Sequence, residues 1–190
     1  MKVKSKKNRK QFKLLLFSLA MVFALLLFFS LSNPGKYGDK RNEYNALIEK
    51  YAAMNELDSN LVKAVIRVES NFNHKAVSGK NAKGLMQITD ETEAWCAWKN
   101  NLEPNPSKLF KPEYNISMGS YYLSYLIDSF GSYELALAAY NAGPGNVKNW
   151  LADPEYSVDG KTLHDIPYPE TEAYVRNVMY HYEAYRQRDQ

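Results

Sequence analysis

The chain has 190 residues, of which 45% are hydrophobic and 24% are charged, and its formal net charge is +3. This length suits one globular domain with an appendage rather than two domains. The single cysteine, Cys96, cannot close an intramolecular disulfide, and the three histidines lie far apart, so neither a disulfide-stapled mini-protein nor a Cys/His zinc cluster is expected. The 15 tyrosines are unusual. They suit an aromatic core or a groove that presents flat rings to sugars or bases.

The basic residues are concentrated at the N-terminus. Residues 1–13 hold seven Lys or Arg and no acidic residue, whereas acidic residues are in excess over the rest of the chain. Residues 14–31 then form an apolar run, and 18 helical residues at about 1.5 Å each approach the roughly 30 Å hydrocarbon core of a bilayer. We therefore predict a basic cytoplasmic tail at 1–13 and a transmembrane signal anchor at 14–31. By the positive-inside rule, everything after the anchor lies on the outer side of the cell membrane.

Residues 32–42 are predicted to be a linker, because turn formers and charged residues are frequent there. The apolar run ends without the small-residue site typical of a cleaved signal peptide, which favours an uncleaved anchor. Membrane topology already explains the N-terminal lysines, and the rest of the chain is acidic. Nucleic acid is therefore not expected as a partner.

Residues 43–190 are predicted to form one all-α domain, since apolar residues recur there at helical spacing and no long run alternates like a strand. Asp90 and Glu93 are spaced as a capping box. The first three predicted helices are one that includes residues 44–52, one over 60–70 capped by Asp58 or Ser59, and one that is capped by Thr89 or Asp90 and runs to Trp98. The next two are one over 112–130, closed by Gly131, and one over 133–142, capped by Ser132 and stopped by Gly143-Pro144. A last helix begins near Pro169.

Glu69 is a charged residue on the apolar face of the predicted helix over 60–70. It continues the spacing of Leu61 and Val65, while Lys63 and Arg67 lie on the other side. Burying an unpaired carboxylate costs several kcal/mol, so such a group would have a raised pKa and stay protonated, as a general acid near neutral pH requires. Alternatively, Glu69 pairs with Arg67 or caps a neighbouring chain. The spacing does not decide between the two.

Two further segments carry polar groups next to helix ends. Residues 84–88 precede a predicted helix, and there Met86 can form a deformable apolar wall while Gln87 can donate to and accept from an acetamide or a hydroxyl. Residues 139–143 place Tyr140 and Asn141 on the last turn of another helix. Taken alone, each segment is only a loop beside a helix.

Taken together, the motifs resemble the ordered set of the lytic transglycosylase catalytic domain, in the branch similar to soluble lytic transglycosylases. The resemblance covers about residues 43–187 and rests on these elements in order: Glu69-Ser70, Ser78, residues 84–87, residues 139–143, Glu170-Thr171 and Tyr174-Val175. It implies a goose-type lysozyme-like helical fold. It also implies cleavage of the β-1,4 bond between N-acetylmuramic acid and N-acetylglucosamine in peptidoglycan, with a 1,6-anhydro-N-acetylmuramic acid end. The sequence itself indicates no cofactor requirement.

The resemblance also implies roles for individual residues. Glu69 matches the catalytic acid/base, Tyr174 is expected beside it, and Ser70 supports the helix end. One departure is Asp90, which stands where the family often has proline and bears on the shape of one subsite wall. The residues expected to bind substrate are Ser78, Met86, Gln87, Tyr140, Asn141, Glu170 and Tyr174.

The acidic residues bear on the mechanism, and two alternatives to the transglycosylase function stay open. Asp90, Glu91, Glu93 and Glu170 are candidates for a second catalytic carboxylate, but each suits the first turn of a predicted helix, so a single-acid route fits better. One alternative is a hydrolytic muramidase. The other is an inactive, membrane-tethered glycan-binding scaffold that recruits cell-wall or secretion machinery.

Overall fold

A computed structural model describes residues 43–189. The predicted basic tail, transmembrane anchor and linker (1–42) lie outside the described residues. Within 43–189 the chain is helical, and we number its α-helices in order. They are α1 (Asn45–Met54), α2 (Ser59–Ser70), α3 (Asp90–Lys99), α4 (Pro112–Phe130), α5 (Tyr133–Ala142), α6 (Pro144–Ala152) and α7 (Pro169–Arg186), with a 3-10 helix at Pro106–Phe110. None of these helices is long and apolar enough to cross a membrane.

Local capping chemistry sets several of the helix starts. The Asp58 carboxylate accepts a hydrogen bond from the Asn60 amide at 2.9 Å, and this places the start of α2 at Ser59. Thr89 caps α3 by accepting from the Thr92 amide at 3.2 Å. The predicted caps are therefore confirmed, with Asp58 and Thr89 chosen over their neighbours. Ser132, the predicted cap of α5, accepts from the Leu135 amide at 3.2 Å.

The predicted capping box at the start of α3 is wrong. The Glu93 side chain is fully buried, and its Oε1 accepts hydrogen bonds from the Asn105 amide and the Tyr114 hydroxyl. Asp90 instead forms an ion pair with Lys83 in the preceding loop. Both carboxylates therefore have partners outside α3, which the i to i+3 spacing could not indicate.

Helix α6 was not predicted. Gly143-Pro144 does end α5, but the chain resumes a helix at Pro144. Proline has no amide hydrogen and a fixed φ, and both suit the first position of a helix. The pair therefore marks a break between two helices rather than the start of a long loop.

Helix α2 is largely buried within the domain. It packs against α7 and α1, while α5 contacts α4, α6 and α7. Four of its apolar side chains, Leu61, Val62, Val65 and Ile66, are fully buried. Between α2 and α3, two isolated β-bridges, Val77 to Lys83 and Lys83 to Ile88, organise the connecting loop. The all-α prediction is confirmed for residues 43–189.

Candidate active site

Glu69 lies on the last turn of α2, where this largely buried helix reaches the surface. Its side chain is half-buried, and its Oε1 accepts a hydrogen bond from the Tyr174 hydroxyl at 2.7 Å. Arg67, the alternative partner, donates instead to the Asn71 side chain. Among residues 43–189 no basic side chain forms an ion pair with Glu69. The structure therefore supports the interpretation of Glu69 as an unpaired carboxyl rather than as the partner of Arg67.

Burial raises the pKa of Glu69 to about 7, and the hydrogen bond from Tyr174 opposes this rise without cancelling it. The helix position acts in the same direction as burial, because the C-terminal end of a helix disfavours negative charge. Glu69 therefore holds a proton at slightly acidic pH and exchanges it near neutrality. This is the range in which one carboxyl can serve first as an acid and then as a base.

Two buried tyrosine hydroxyls lie near this carboxyl. Burial and then the charge of Glu69 raise the pKa of Tyr174 and of Tyr140 well above the ordinary value, so both remain protonated. Tyr174 donates to Glu69, and Tyr140 donates to the Met86 carbonyl at 2.8 Å. Tyr174 thus lies where the resemblance implied, while Tyr140 joins α5 to the loop at 84–88.

The end of α2 is also tied to that loop. The Ser70 hydroxyl donates to the Leu85 carbonyl at 2.7 Å, which fits its expected role at the helix end. Together with the bond from Tyr140 to Met86, this fixes residues 84–88 between Glu69 and α5. Three motifs that are distant in the sequence therefore form one site.

Gln87 occupies a strained position in this loop. Its φ is +49°, a conformation that costs a non-glycine residue energy and is concentrated at functional sites. Its side-chain amide donates to the Gly84 carbonyl at 2.9 Å and to the Ala76 carbonyl at 3.2 Å. Its Oε1 has no hydrogen-bond partner among residues 43–189, so it is available as an acceptor for a ligand.

Met86 is a core residue. Its side chain is fully buried and packs so closely against Gly119 of α4 that a Cβ at position 119 would overlap it. The expectation that Met86 forms an apolar wall of the groove is therefore corrected, because its side chain is not accessible. Its backbone is the part that serves the site, since its amide and carbonyl bind Asn115 and Tyr140.

The remaining predicted substrate-binding residues lie at the rim. Ser78 is exposed, and its Oγ accepts from the Lys80 and Ala82 amides at 3.2 and 3.1 Å. Glu170, at the start of α7, lies 3.6 Å from the Lys80 ammonium in an exposed ion pair. This pair brings the turn at 78–82 next to α7. Asn141 is half-buried, and its Oδ1 accepts from the Thr171 hydroxyl at 2.7 Å, which joins α5 to α7.

The candidates for a second catalytic carboxylate have other partners or face solvent. Asp90 pairs with Lys83, Glu170 pairs with Lys80, and Glu93 is enclosed with Asn105 and Tyr114. Glu91 is exposed in the first turn of α3. None of the four is hydrogen-bonded to Glu69 or to Tyr174, which favours chemistry by a single carboxyl.

Asn115 is a site residue that the sequence analysis missed. It is fully buried in α4, and its Oδ1 accepts from the Met86 amide at 2.7 Å. Its Nδ2 donates to the Lys83 and Leu109 carbonyls at 2.8 and 2.9 Å. Asn115 therefore holds the loop that carries Gln87. An amide on an otherwise apolar helix face was the available signal, and it is the same kind of signal that singled out Glu69.

Comparison with known proteins identifies the family. The family model described as the Transglycosylase SLT domain matches residues 46–161, which is more than half of the chain. The chain therefore belongs to the SLT transglycosylase family, and the expected family resemblance is confirmed.

Particular relatives are similar over most of the described part. The soluble lytic murein transglycosylase of Escherichia coli is 37% identical over 146 residues, which cover 75% of this chain and 22% of that protein. The membrane-bound lytic murein transglycosylase C of Photorhabdus laumondii is 36% identical over 125 residues, covering 60% of this chain and 35% of that protein. This chain thus spans about a fifth to a third of the length of these relatives.

The fold has a solved counterpart. The lytic transglycosylase Slt of Pseudomonas aeruginosa, solved as an inactive mutant, superposes with a TM-score of 0.66 at 34% identity, covering 75% of this chain and 24% of that chain. The implied lysozyme-like fold of the lytic transglycosylases is therefore confirmed for the helical domain.

Proposed function

We propose that this chain is a peptidoglycan lytic transglycosylase. It cleaves the β-1,4 bond between N-acetylmuramic acid and N-acetylglucosamine and leaves a 1,6-anhydro-N-acetylmuramic acid end. The single observation that carries the proposal is the half-buried, unpaired carboxyl of Glu69, with a pKa raised to about 7 and a hydrogen bond from Tyr174. Relatives named as lytic murein transglycosylases support the substrate class.

The chemistry uses Glu69 twice. Its proton passes to the glycosidic oxygen as the bond from that oxygen to C1 breaks, and the 2-acetamido oxygen of the substrate stabilises the positive C1. The Glu69 carboxylate then takes the proton from the C6 hydroxyl of the same sugar while that oxygen bonds to C1. The enzyme regains its proton and no water is consumed. An attacking group within the same sugar has a very high effective concentration, which makes this route competitive with water.

Surrounding residues support both steps. Tyr174 keeps the carboxyl oriented, and the Oε1 of Gln87 accepts from a donor of the sugar, such as the acetamide N–H. The rim residues Ser78, Asn141 and Glu170 bind the strand on either side. Tyr140 acts by holding the Met86 carbonyl, and so the loop, in place.

The product distinguishes this reaction from hydrolysis. We expect that digestion of purified sacculi with the full-length chain in detergent releases disaccharide-peptides that are lighter by one water than the products of a muramidase. Mass spectrometry of the released fragments measures this difference directly. Reducing ends of full mass would instead support the hydrolytic alternative. Binding to sacculi with no soluble product would support the inactive scaffold.

The pH dependence tests the role of Tyr174. Protonated Glu69 is the active acid, so kcat/KM should fall as the pH rises through about 7. The Tyr174→Phe variant removes the hydrogen bond that favours the carboxylate, so the pKa of Glu69 rises and this fall in kcat/KM should move to higher pH. A full pH profile of kcat/KM checks the expectation.

Tyr182, which lies in α7 like Tyr174, provides a matched control. Tyr182 donates to the Asp58 carboxylate at 2.9 Å, at the other end of α2 from Glu69. Tyr182→Phe should leave the pH profile unchanged even if it lowers stability. A profile that shifts equally in both variants would rule out a specific role for Tyr174.

We further propose that the enzyme is held at the outer face of the cell membrane by residues 14–31, with the helical domain facing the cell wall. The hydropathy of this segment and the similarity to a protein named as membrane-bound support the proposal. Fractionation of cells that express the full chain, with and without residues 1–31, tests it. Retention of the shortened chain in the membrane fraction would contradict anchoring by this segment.

A further inference from the structure

A row of aromatic side chains leads away from the site on its Tyr140 side. The Tyr140 and Tyr122 ring centroids are 5.5 Å apart, and Tyr122 lies 5.8 Å from Trp95 of α3. Trp95 in turn contacts Tyr125 at 4.5 Å and Tyr121 at 6.1 Å. We call Tyr122, Trp95, Tyr121 and Tyr125 the aromatic row. All four residues are at least partly exposed.

The row ends at a cavity. A cavity of about 430 Å³ is bounded on one side by α4 and on the other by the turn that follows α1. Tyr121, Tyr125 and Asp128 follow one face of α4 at helical spacing, and Asn55 and Glu56 lie opposite them. The cavity thus combines aromatic faces with amide and carboxylate groups.

This combination matches the chemistry of a sugar. The C–H faces of a pyranose pack on aromatic rings, and its hydroxyl groups donate to carboxylates and amides. The two acidic side chains, Glu56 and Asp128, favour the uncharged N-acetylglucosamine over N-acetylmuramic acid, which carries a carboxylate, and the cavity has room for a sugar residue. Tyr122 of the row contacts Tyr140, which holds the loop beside Glu69, and this favours a glycan strand already held at Glu69 over an unrelated ligand.

We propose that the aromatic row and its cavity form a further glycan subsite, which binds sugar residues of the same strand remote from the bond that Glu69 cleaves. This inference rests on the proposed function. It makes the enzyme selective for long strands, because only a long strand reaches both the cavity and Glu69. A tetrasaccharide occupies only the cleavage site and does not reach the cavity.

The test compares two substrates. Peptide-free glycan strands, either long or tetrasaccharide, are digested by the full-length chain in detergent. Tyr125→Ala removes an exposed ring from the cavity, and we expect KM for long strands to rise about tenfold, which corresponds to about 1.4 kcal/mol of binding free energy. The kcat on long strands and the kcat/KM on tetrasaccharides should not change, because an interaction remote from the reacting bond contributes only to binding.

A second variant and a control keep the test independent of folding defects. Tyr121→Ala should raise KM for long strands in the same direction, since it removes the other ring that lines the cavity. Tyr180→Ala removes a 70% exposed tyrosine of α7 that lies outside the row. This variant should change neither KM for long strands nor kcat/KM for tetrasaccharides. Thermal unfolding of each variant checks that the fold is retained.

The outcomes separate this inference from the proposed function. An unchanged KM for long strands, or an equal loss on both substrates, would overturn the subsite while leaving the lytic transglycosylase intact. If the chain with no substitution cleaves neither substrate, the proposed function fails and the subsite fails with it. A rise in KM confined to long strands supports both.

Discussion

Replacement of Glu69 by glutamine is expected to abolish peptidoglycan cleavage. Glutamine keeps the size of the side chain but can neither donate an acidic proton nor act as a base, so both steps of the proposed route lose their catalyst. General acid and base catalysis together justify a loss of at least about a thousand-fold. The measurement is the rate of release of soluble fragments from purified sacculi.

The matched control is Glu91→Gln. Glu91 is an exposed carboxylate in the first turn of α3 and has no hydrogen bond to Glu69. If one carboxyl suffices, this variant should keep nearly full activity. A comparable loss in Glu91→Gln would indicate a mechanism with two carboxylates, and full activity in Glu69→Gln would exclude Glu69 as the acid.

The Glu69→Gln variant should be more stable than the unsubstituted chain at high pH. The pKa of Glu69 is about 7 in the folded state and close to 4.5 when unfolded. Its effect on the free energy of unfolding is therefore absent below about pH 4.5, becomes increasingly destabilising as the pH rises from 4.5 to 7, and is complete above about pH 7. Glutamine carries no charge to desolvate. We expect a gain of up to about 3 kcal/mol at pH 8 and almost none at pH 4.

Denaturant unfolding at the two pH values measures this difference. A gain that depends on pH reports the stability that the site gives up in order to hold an unpaired carboxyl. A gain of equal size at both pH values would instead mean that glutamine simply packs better. The test is independent of catalysis and therefore separates a wrong mechanism from a wrong view of the environment of Glu69.

The sequence predicted features that depend on near neighbours. Asp58, Thr89 and Ser132 cap helices whose first amides lie within three residues, so local spacing was sufficient to predict their helix starts. Glu69 was found because a charge on an apolar helix face is itself a local anomaly. Its link to Tyr174, 105 residues further along the chain, came from the family resemblance rather than from spacing.

Features that depend on distant partners were not predicted. Met86 and Gln87 are adjacent, yet one is buried against α4 and the other faces the site, and spacing could not tell a groove wall from the core. Glu93 suited a helix start, but it is buried because the Asn105 amide and the Tyr114 hydroxyl meet it there. In each case the deciding contact is tertiary.

Gly84 is expected to be the least replaceable glycine of the loop that carries Gln87. Its φ is +77°, which is unfavourable for alanine, and a Cβ there would overlap the Leu109 carbonyl and the side chain of Asn115. Gly84→Ala should therefore lower the free energy of unfolding by about 3 kcal/mol, from backbone strain and overpacking together. Denaturant unfolding measures the loss.

The activity of the Gly84→Ala variant should fall by more than its loss of stability explains. Asn115 holds the Lys83 and Leu109 carbonyls and the Met86 amide, so its displacement releases the segment that positions Gln87. The control is Gly79→Ala in the same connection between α2 and α3, where an added Cβ meets nothing within 4 Å. If Gly84→Ala were as stable and active as Gly79→Ala, the loop would tolerate movement of Asn115. The position of Gln87 would then not depend on the contact between α4 and this loop.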